Sequence, residues 1–458
     1  MACGERIEAA HRRTTNLWPG CFLHLGVLAH SEENGAGVRS ADLDERSRRW
    51  TVTSDPRWLW PGLDVGLLSA AASTIERSVT RILAGKPASI GAADGSDAYA
   101  VGIASLLSGT GSLLGYWIEQ GKLDVAAPLA HTLARHLAHG RGRIGRIGRE
   151  VAPALQCLIE AGVNPGILKG FHTAHVYFPE PGVRPLADVD VYVEPRHVVR
   201  AGRALASAGF GPGSWSADFK TNWYPGGKLL PIRSLEYWHA RSPWRIELHS
   251  ALQFGTLIRH GIHLEQVMPI TDTWEWMGMQ LRVAPQPLRF VVLAAHLSSE
   301  LNSSRLIRLV ELTLLIRRDT ASGELDWAAA TDFLERTGAT RYAYPALTLV
   351  EQLAPGTVDM ALLAKTYKRA SRIARIVVGE LTPATPILHE HVSIAERLMW
   401  EPGILGVARR LLEMLVPPPG ESLKNNLLIY GSRFWRLFTK RVSWRIRGGT
   451  RKSGEAQA

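Results

Sequence analysis

The sequence predicts an α+β fold: a small mixed β-sheet with helices, a mainly helical region before it and a C-terminal helical bundle after it. Apolar and polar residues alternate at 186–193 and 244–249, as they do in half-buried strands. Apolar residues recur near the helical period before the sheet and again after Pro285. The expected divisions are a polar, partly disordered segment (1–56), a helical accessory region (57–139), the sheet core (140–284), a helical domain (285–420) and a basic amphipathic tail (421–458).

A broken pair of helices is expected in the accessory region. The apolar window 98–118 is interrupted at Gly109-Thr110-Gly111, which predicts two buried helices with a break between them. By length alone this window could also span a membrane, and that alternative stays open. The next stretch, 140–149, is rich in arginine and glycine. It predicts a solvated linker or, alternatively, a segment that contacts phosphate.

Local signals predict the helices of the core. Apolar spacing favours a helix at 150–161, and a second helix is expected at 171–178 after a short apolar strand. A third helix at 196–208 ends at Gly209, where a left-handed cap costs little. After Pro285 the helical period continues, and it predicts helices over 288–297, 306–316 and 328–335.

Strands and turns are expected from 210 to 249, with a hairpin turn at 224–227. This part is rich in aromatic residues, namely Trp215, Trp223, Tyr237, Trp238 and Trp244. Packing in the core is the expected role of most of them, and stacking on a base or ribose is the alternative.

Carboxylates are spaced in a way that predicts a metal site. Asp188 and Asp190 stand two residues apart on a predicted strand, so both point to the same face. A second strand places Glu247 and His249 together on one face, with apolar neighbours toward the core. Crowded carboxylates repel each other unless a cation lies between them, and Mg²⁺ prefers such oxygen ligands. An ordinary Asp-x-Asp strand end is the alternative.

A phosphate-binding turn is expected upstream of these carboxylates. Lys169-Gly170 lies between the apolar strand and the helix predicted at 171–178, and a helix N-terminus offers free N–H groups to phosphate. A metal site beside a phosphate site indicates nucleotide chemistry. For Lys169 and Arg184 the alternative is a solvated surface cation.

Composition favours a globular protein with anionic partners. Hydrophobic residues make up 46%, an ordinary value. The net charge of +11 suits nucleotides, nucleic acid or an acidic surface. The 3 cysteines are too few and scattered for a disulfide framework or a zinc knuckle, and the N-terminus has no signal-peptide pattern. We therefore expect a cytoplasmic protein without a transmembrane span.

The C-terminal tail is basic and amphipathic. From 424 to 452 basic residues accumulate without an acidic one, and aromatic residues lie between them. This pattern predicts contact with an anionic partner, such as a membrane surface or nucleic acid. A helix that caps the bundle is the alternative.

In the region of the predicted phosphate turn and carboxylates, the chain resembles the uncharacterised bacterial nucleotidyltransferase family of the polymerase-β-like superfamily. The shared pattern is a Leu-Lys-Gly turn, a helix ending near a Tyr, a Pro-rich loop and Arg-Pro-x-x-Asp-x-Asp, here Leu168-Lys169-Gly170, Tyr177, Pro179 to Pro181, Arg184-Pro185 and Asp188-Val189-Asp190. Further matches are Glu247-Leu248-His249, His296, Glu311 and Leu325-Asp326-Trp327. The similarity covers roughly residues 135 to 360. Glu247 and Glu311 stand where the family more often has Asp.

The resemblance implies an enzyme that moves a nucleoside monophosphate from an NTP to a hydroxyl-type acceptor. It implies Mg²⁺, with two ions expected and Mn²⁺ as a substitute, held by Asp188, Asp190 and Glu247. Glu247 would also complete the nucleophile side of the site and accept the proton. The nucleotide and its phosphates would be bound by Lys169, Gly170, Arg184 and His249.

The acceptor stays open between a small molecule, a peptide or protein, and RNA. One alternative function is a nucleotide- or RNA-binding protein whose catalysis has faded, which the Glu at position 247 motivates. Such a protein would keep NTP affinity after Glu247→Gln and would release no pyrophosphate. Another alternative is a toxin-like tRNA nucleotidyltransferase, which transfer of labelled nucleotide to bulk tRNA would identify.

Overall fold

The structure is a computed structural model. It describes residues 46, 56–58, 60, 62–91, 95–217, 219–230, 239–252, 263–299, 301, 306–384, 394–401 and 403–415. The chain divides into two compact units, Phe22–Trp400 and Met1–Cys21 with Glu401–Ala458. The predicted tail at 421–458 and almost all of the predicted N-terminal segment at 1–56 lie outside the described residues.

The accessory region is mainly helical, as predicted, with one addition. Its elements are α1 (Val65–Leu83), β1 (Ala88–Ile90), α2 (Gly95–Leu107), α3 (Gly111–Glu119) and β2 (Leu123–Val125). Helix α1 begins where Asp64 Oδ1 accepts a hydrogen bond from Leu67 N at 2.8 Å, which satisfies a free N–H of the first turn. The short strands β1 and β2 pair in parallel, a contact that the sequence reasoning did not include.

The break between α2 and α3 is confirmed where the glycines predict it. Gly109 adopts a positive φ of 72°, which glycine reaches without a steric penalty. The two helices meet at a bend of 114°, and most of their side chains are buried. Within the described part of the chain, no single helix is long and apolar enough to cross a bilayer, although this bent pair meets that test jointly.

One continuous helix, α4 (Ala127–Glu160), passes through the basic stretch 140–149, so the prediction of a solvated linker is wrong. Glycine lowers helix propensity, but here it permits a close approach. A Cβ on Gly140 would collide with the carbonyl oxygen of Gly182, in the short 3-10 helix Pro181–Val183. Arg143 is buried, and the helix predicted at 150–161 is the last part of α4.

The core elements are, in chain order, β3 (Gly166–Ile167), α5 (Phe171–Val176), β4 (Asp188–Tyr192), α6 (Val198–Ser207), β5 (Phe210–Ala217), β6 (Lys220–Pro225), β7 (Arg245–His249), α7 (Leu264–Val267), β8 (Asp272–Trp276) and β9 (Met279–Val283). The strands form a 7-stranded sheet in the order β5-β6-β7-β4-β3-β9-β8. Strand β4 pairs in parallel with β7, and β3 with β9, whereas the remaining pairs are antiparallel. The predicted mixed sheet is therefore confirmed.

The turn at 224–227 forms, but it is not the hairpin that the sequence predicts. Gly227 N donates to Tyr224 O at 3.0 Å where β6 ends. The hairpin of this part of the chain joins the antiparallel strands β5 and β6 instead, since Ala217 at the end of β5 pairs with Lys220 at the start of β6. Trp223 and Trp244 are buried in the core, as expected, whereas Tyr237, Trp238 and the side chain of Trp215 lie outside the description.

The helices predicted after Pro285 are confirmed and continue further. They are α8 (Leu288–Ser299), α9 (Leu306–Ser322), α10 (Trp327–Arg336), α11 (Thr340–Leu353), α12 (Met360–Arg369), α13 (Arg372–Gly379) and α14 (Ile394–Leu398). The apolar residues of α8 to α13 share one hydrophobic core with α1 to α3 and the first half of α4. The sheet packs against α6 and the last half of α4, and their buried side chains form a second hydrophobic core. In the smaller unit, α15 (Gly403–Leu415) has exposed Ile404 and Leu405.

Candidate functional site

The parallel pairing of β4 with β7 places the predicted carboxylates side by side. In this register Asp188 pairs with Arg245, Asp190 with Glu247 and Tyr192 with His249. The intervening residues of both strands, such as Val189 and Ile246, are fully buried in the core that the sheet shares with α4 and α6. Alternation therefore gives the sheet an apolar face and a charged face. The prediction that the carboxylates share one face is confirmed.

Asp190 is the centre of the charged face. Its two carboxylate oxygens each accept a hydrogen bond from Lys169 Nζ at 2.7 Å. His249 Nε2 lies 2.9 Å from Asp190 Oδ1 and 3.7 Å from Glu247 Oε2. Lys169 reaches this position because it follows β3, whose extension Leu168 donates its N–H to Asp190 O at 3.1 Å. The predicted metal ligand Asp190 thus contacts Lys169 and His249, which the family resemblance implies as nucleotide and phosphate ligands.

Glu247 is held by two cations that the sequence reasoning missed. Lys220 Nζ donates to Glu247 Oε2 at 2.7 Å, and Arg245 Nη2 donates to Glu247 Oε1 at 2.6 Å. The position of Arg245, two residues before Glu247 on the same strand, was a readable signal. Lys220 could not be found in this way, since it reaches the site only through the pairing of β6 with β7.

The titration of the three carboxylates reflects these contacts. Burial raises the pKa of Asp188, and the negative charges of Glu247 and Asp190 raise it further. For Asp190, burial acts in the same direction, but Lys169 and His249 outweigh it and hold the pKa well below its ordinary value. In Glu247 the charges of Arg245 and Lys220 likewise outweigh burial and lower the pKa to about 2. Negative charge is therefore least compensated at Asp188.

A metal-binding group can be formed from residues of this face. One ligand atom from each of Asp190, Glu247 and His249 lies within 4.8 Å of the others, and all three side chains are buried. This group contains His249 in place of the predicted Asp188. Asp188 borders the group, has its side chain 20% exposed, and lies 3.5 Å from Arg245 Nη2. Carboxylate oxygens with one imidazole suit a divalent cation.

An arginine lies against the predicted phosphate turn. Gly170 has a φ of 64° and packs closely against Arg184, whose Nη1 would lie 3.6 Å from a Cβ on that glycine. Arg184 Nη2 donates to Glu311 Oε2 on α9 at 2.9 Å. Thr173 Oγ1 on α5 donates to the other oxygen of the same carboxylate. The helical domain thereby orients Arg184 toward Gly170.

Comparison with known proteins places this arrangement in a family. The family model for uncharacterised nucleotidyltransferases matches residues 108–355, from the turn between α2 and α3 to the end of α11. The chain belongs to this family. No curated protein and no solved structure matches the chain.

In this nucleotidyltransferase family member, Arg143 of α4 fixes both strands of the site. Its guanidinium donates to the backbone oxygens of Leu186 at 2.5 Å, Ser242 at 2.8 Å and Pro243 at 2.7 Å. Leu186 precedes β4 and Pro243 precedes β7, so one buried side chain aligns the strands that carry the carboxylates. The sequence shows arginine at this position but not that it is buried.

Two further polar residues of the nucleotidyltransferase lie at the charged face. Asn222 of β6 pairs in register with Glu247, is 5% exposed, and its Oδ1 accepts no hydrogen bond from the described residues. For His296 of α8, burial and then the charge of Lys169 hold the pKa well below its ordinary value, so the imidazole is neutral. The influence of Lys169 places His296 near the site.

Proposed function

We propose that the protein transfers a nucleoside monophosphate from an NTP to a hydroxyl-type acceptor. The observation that carries this proposal is the in-register placement of Asp190 and Glu247 on one charged face, with Lys169 beside them. Nucleotidyl transfer needs charge compensation at the reacting phosphate and at the leaving pyrophosphate. The charged face offers anionic ligands for a cation and cationic groups for phosphate within one sheet.

The divalent cation of the proposed reaction is Mg²⁺, with Mn²⁺ able to replace it. Asp190, Glu247 and His249 would hold one ion, and Asp188 with Asp190 would hold a second. Bound at these residues, the ions would stabilise negative charge on the entering and leaving oxygens. The raised pKa of Asp188 supports this assignment, because it marks surplus negative charge where the second ion is proposed.

Lys169, Arg184 and the backbone N–H of Gly170 are proposed to bind the triphosphate. Lys169 contributes a point charge, whereas the planar guanidinium of Arg184 can take two phosphate oxygens. Arg184 Nε is buried and makes no hydrogen bond to the described residues, so it is among the donors that remain for a ligand. Glu311 and Thr173 orient Arg184 and do not themselves contact phosphate in this proposal.

Glu247 is proposed as a ligand and not as the proton acceptor. A carboxylate with a pKa of about 2 is a weak base at neutral pH, so the proton-accepting role implied by the family resemblance is unfavourable here. Asn222 Oδ1 lies on the neighbouring strand at the same level and is proposed to accept a hydrogen bond from the acceptor hydroxyl.

Nucleotide binding tests the proposal without knowledge of the acceptor. We would measure binding of ATP, CTP, GTP and UTP, with and without Mg²⁺, to the wild type and to Asp188→Ala/Asp190→Ala. Asp332→Asn is a matched control, because Asp332 is an exposed carboxylate on α10. Metal-dependent binding that is lost only in the double variant is expected. Equal binding in the double variant, or none in the wild type, would refute the proposal.

A nucleotide-binding protein without transfer activity is the second candidate, and one observation favours it. Glu247 is already paired with two cations, which reduces its availability to a metal ion. For this candidate, Glu247→Gln would keep its NTP affinity, and no acceptor would cause release of pyrophosphate. Pyrophosphate release that requires Glu247 would exclude it.

A further inference from the structure

A polar cavity lies beside α5, and its lining residues are distinct from those of the charged face. Its volume is about 540 Å³, which is within the range of small-molecule pockets. It is bordered by α5, β8 and the adjoining ends of α8 and α9. Along α9, Asp319 of this cavity lies eight residues, or about 12 Å, beyond Glu311 of the candidate site. The cavity is therefore separate from the proposed nucleotide site.

Carboxylates outnumber cations around this cavity. The Nη atoms of Arg289 lie 3.4 Å from Asp272, 3.5 Å from Asp319 and 3.8 Å from Glu324. These separations exceed the roughly 2.7–2.9 Å of a close charge-assisted hydrogen bond. Arg318 is the second guanidinium of the lining, so two cations face three carboxylates. A cationic ligand would balance this excess.

The buried end of the cavity has an unused hydrogen-bonding atom. His172 is 3% exposed, and its Nδ1 has no hydrogen-bond partner among the described residues. Burial, with the charges of Arg289 and His175, lowers the pKa of His172 to about 3, so the imidazole is neutral at physiological pH. A neutral imidazole can accept a hydrogen bond from a hydroxyl or donate one to it.

The two ends of the cavity therefore differ in charge. Asp272 and Glu324, whose side chains are 47% and 55% exposed, form its mouth. Trp274 is half-buried beside His172, with 5.1 Å between the ring centroids, and offers an aromatic surface to a cation or a ring. We propose that this cavity binds a small hydroxylated amine, with its ammonium between Asp272 and Glu324 and a hydroxyl against His172.

Three probes with one carbon skeleton test the charge of the ligand. Glucamine, sorbitol and gluconate are six-carbon polyols that end in an ammonium, a hydroxyl and a carboxylate respectively. We expect calorimetry to show binding of glucamine, about tenfold weaker binding of sorbitol, and the weakest binding of gluconate. The net charge of +11 disfavours nonspecific uptake of a cation, which makes binding of glucamine informative.

Exposed carboxylates allow variants that do not disturb the fold. Asp272→Asn and Glu324→Gln should each weaken glucamine binding by about tenfold and leave sorbitol binding unchanged. Asp332→Asn, which removes a carboxylate from α10, should alter neither. Nucleotide affinity should stay at the wild-type value in all three variants. Failure of glucamine to bind, sorbitol or gluconate binding equally well, or insensitivity to Asp272→Asn and Glu324→Gln would overturn the proposal.

Discussion

Single residues of the charged face are held by opposite charges at close range. Glu247 lies 2.7 Å from Lys220 Nζ and 2.6 Å from Arg245 Nη2, with its side chain 5% exposed. Breaking such a buried pair leaves an uncompensated charge, at a cost of roughly 3–5 kcal/mol. These contacts therefore support the fold as well as the proposed chemistry.

Glu247→Gln should destabilise the protein by about 3 kcal/mol at pH 7, because Lys220 and Arg245 lose their anionic partner. Folding lowers the pKa of Glu247 from 4.5 to about 2, so this stabilisation is complete above pH 4.5 and is lost as the pH falls toward 2. Urea unfolding at pH 7 and pH 3 should show a smaller difference between wild type and variant at the lower pH. Glu275→Gln is the control, since Glu275 of β8 is exposed.

Asp188→Asn should have the opposite effect on stability. Burial and the neighbouring carboxylates raise the pKa of Asp188, so the folded state disfavours its charge. The resulting destabilisation grows as the pH rises through the folded-state pKa and is absent below the ordinary value of 3.8. Thermal unfolding at pH 7 should therefore show a higher melting temperature in the variant than in the wild type. A lower melting temperature would contradict this account, whereas weaker Mg²⁺-dependent nucleotide binding is expected.

At the scale of elements, α4 brings its glycines and a buried arginine into contact with the core. Gly140 and Gly145 lie in the same helix but differ in surroundings. A Cβ on Gly140 would strike the carbonyl of Gly182, whereas a Cβ on Gly145 would meet only Arg149 Nη1, at 3.6 Å. The same substitution should therefore have opposite signs at the two positions.

Gly145→Ala should stabilise the protein by up to about 1 kcal/mol, since alanine has the higher helix propensity. Gly140→Ala should destabilise it by about 1–3 kcal/mol through the forced shift of the segment that carries Gly182. Chemical unfolding of the two variants measures both effects. Equal effects of the two substitutions would show that packing against Gly182 does not select glycine at position 140.

Arg143→Met should remove the contact that aligns β4 with β7. The backbone oxygens of Leu186 and Pro243 would lose this donor, and Ser242 O would keep only the bond from Arg146 Nη1, so the expected cost is about 3 kcal/mol or more. Nucleotide binding should also weaken, because the carboxylates depend on this alignment. Arg149→Met, an exposed change in the same helix, should leave unfolding and binding unaltered. Wild-type affinity in a folded Arg143→Met protein would refute the positioning role.

At the scale of the whole molecule, the accessory helices and the helical domain are joined by one hydrophobic core. That core includes Ile75 and Leu114 as well as Leu309 and Leu347. Hydrogen exchange under native conditions should therefore show α1, α3, α9 and α11 opening with one common free energy. Much earlier opening of α1 and α3 would indicate that the accessory region is stable only in part.

The sequence predicted what depends on local spacing. Alternation identified the shared face of Asp188 and Asp190, and glycines identified the break between α2 and α3. It failed where distant segments decide the structure. From its composition alone the basic stretch 140–149 resembles a linker. Arg143 in this stretch is buried because it donates to backbone carbonyls of distant segments, and the sequence does not show these contacts. Lys220 joins the site only through strand pairing. The roles of the site residues and the predicted domain boundaries stay predictions.

The parallel pairing of β4 with β7 also has a consequence for folding kinetics. The chain between the two strands, residues 193–244, must return across β5 and β6 before Asp190 can meet Glu247. Closing a loop of this length lowers the conformational entropy of the chain before any stabilising contact between the strands has formed. Such non-local pairings therefore form slowly. The site is thus assembled late, and we expect nucleotide binding during refolding to begin only after β4 has paired with β7.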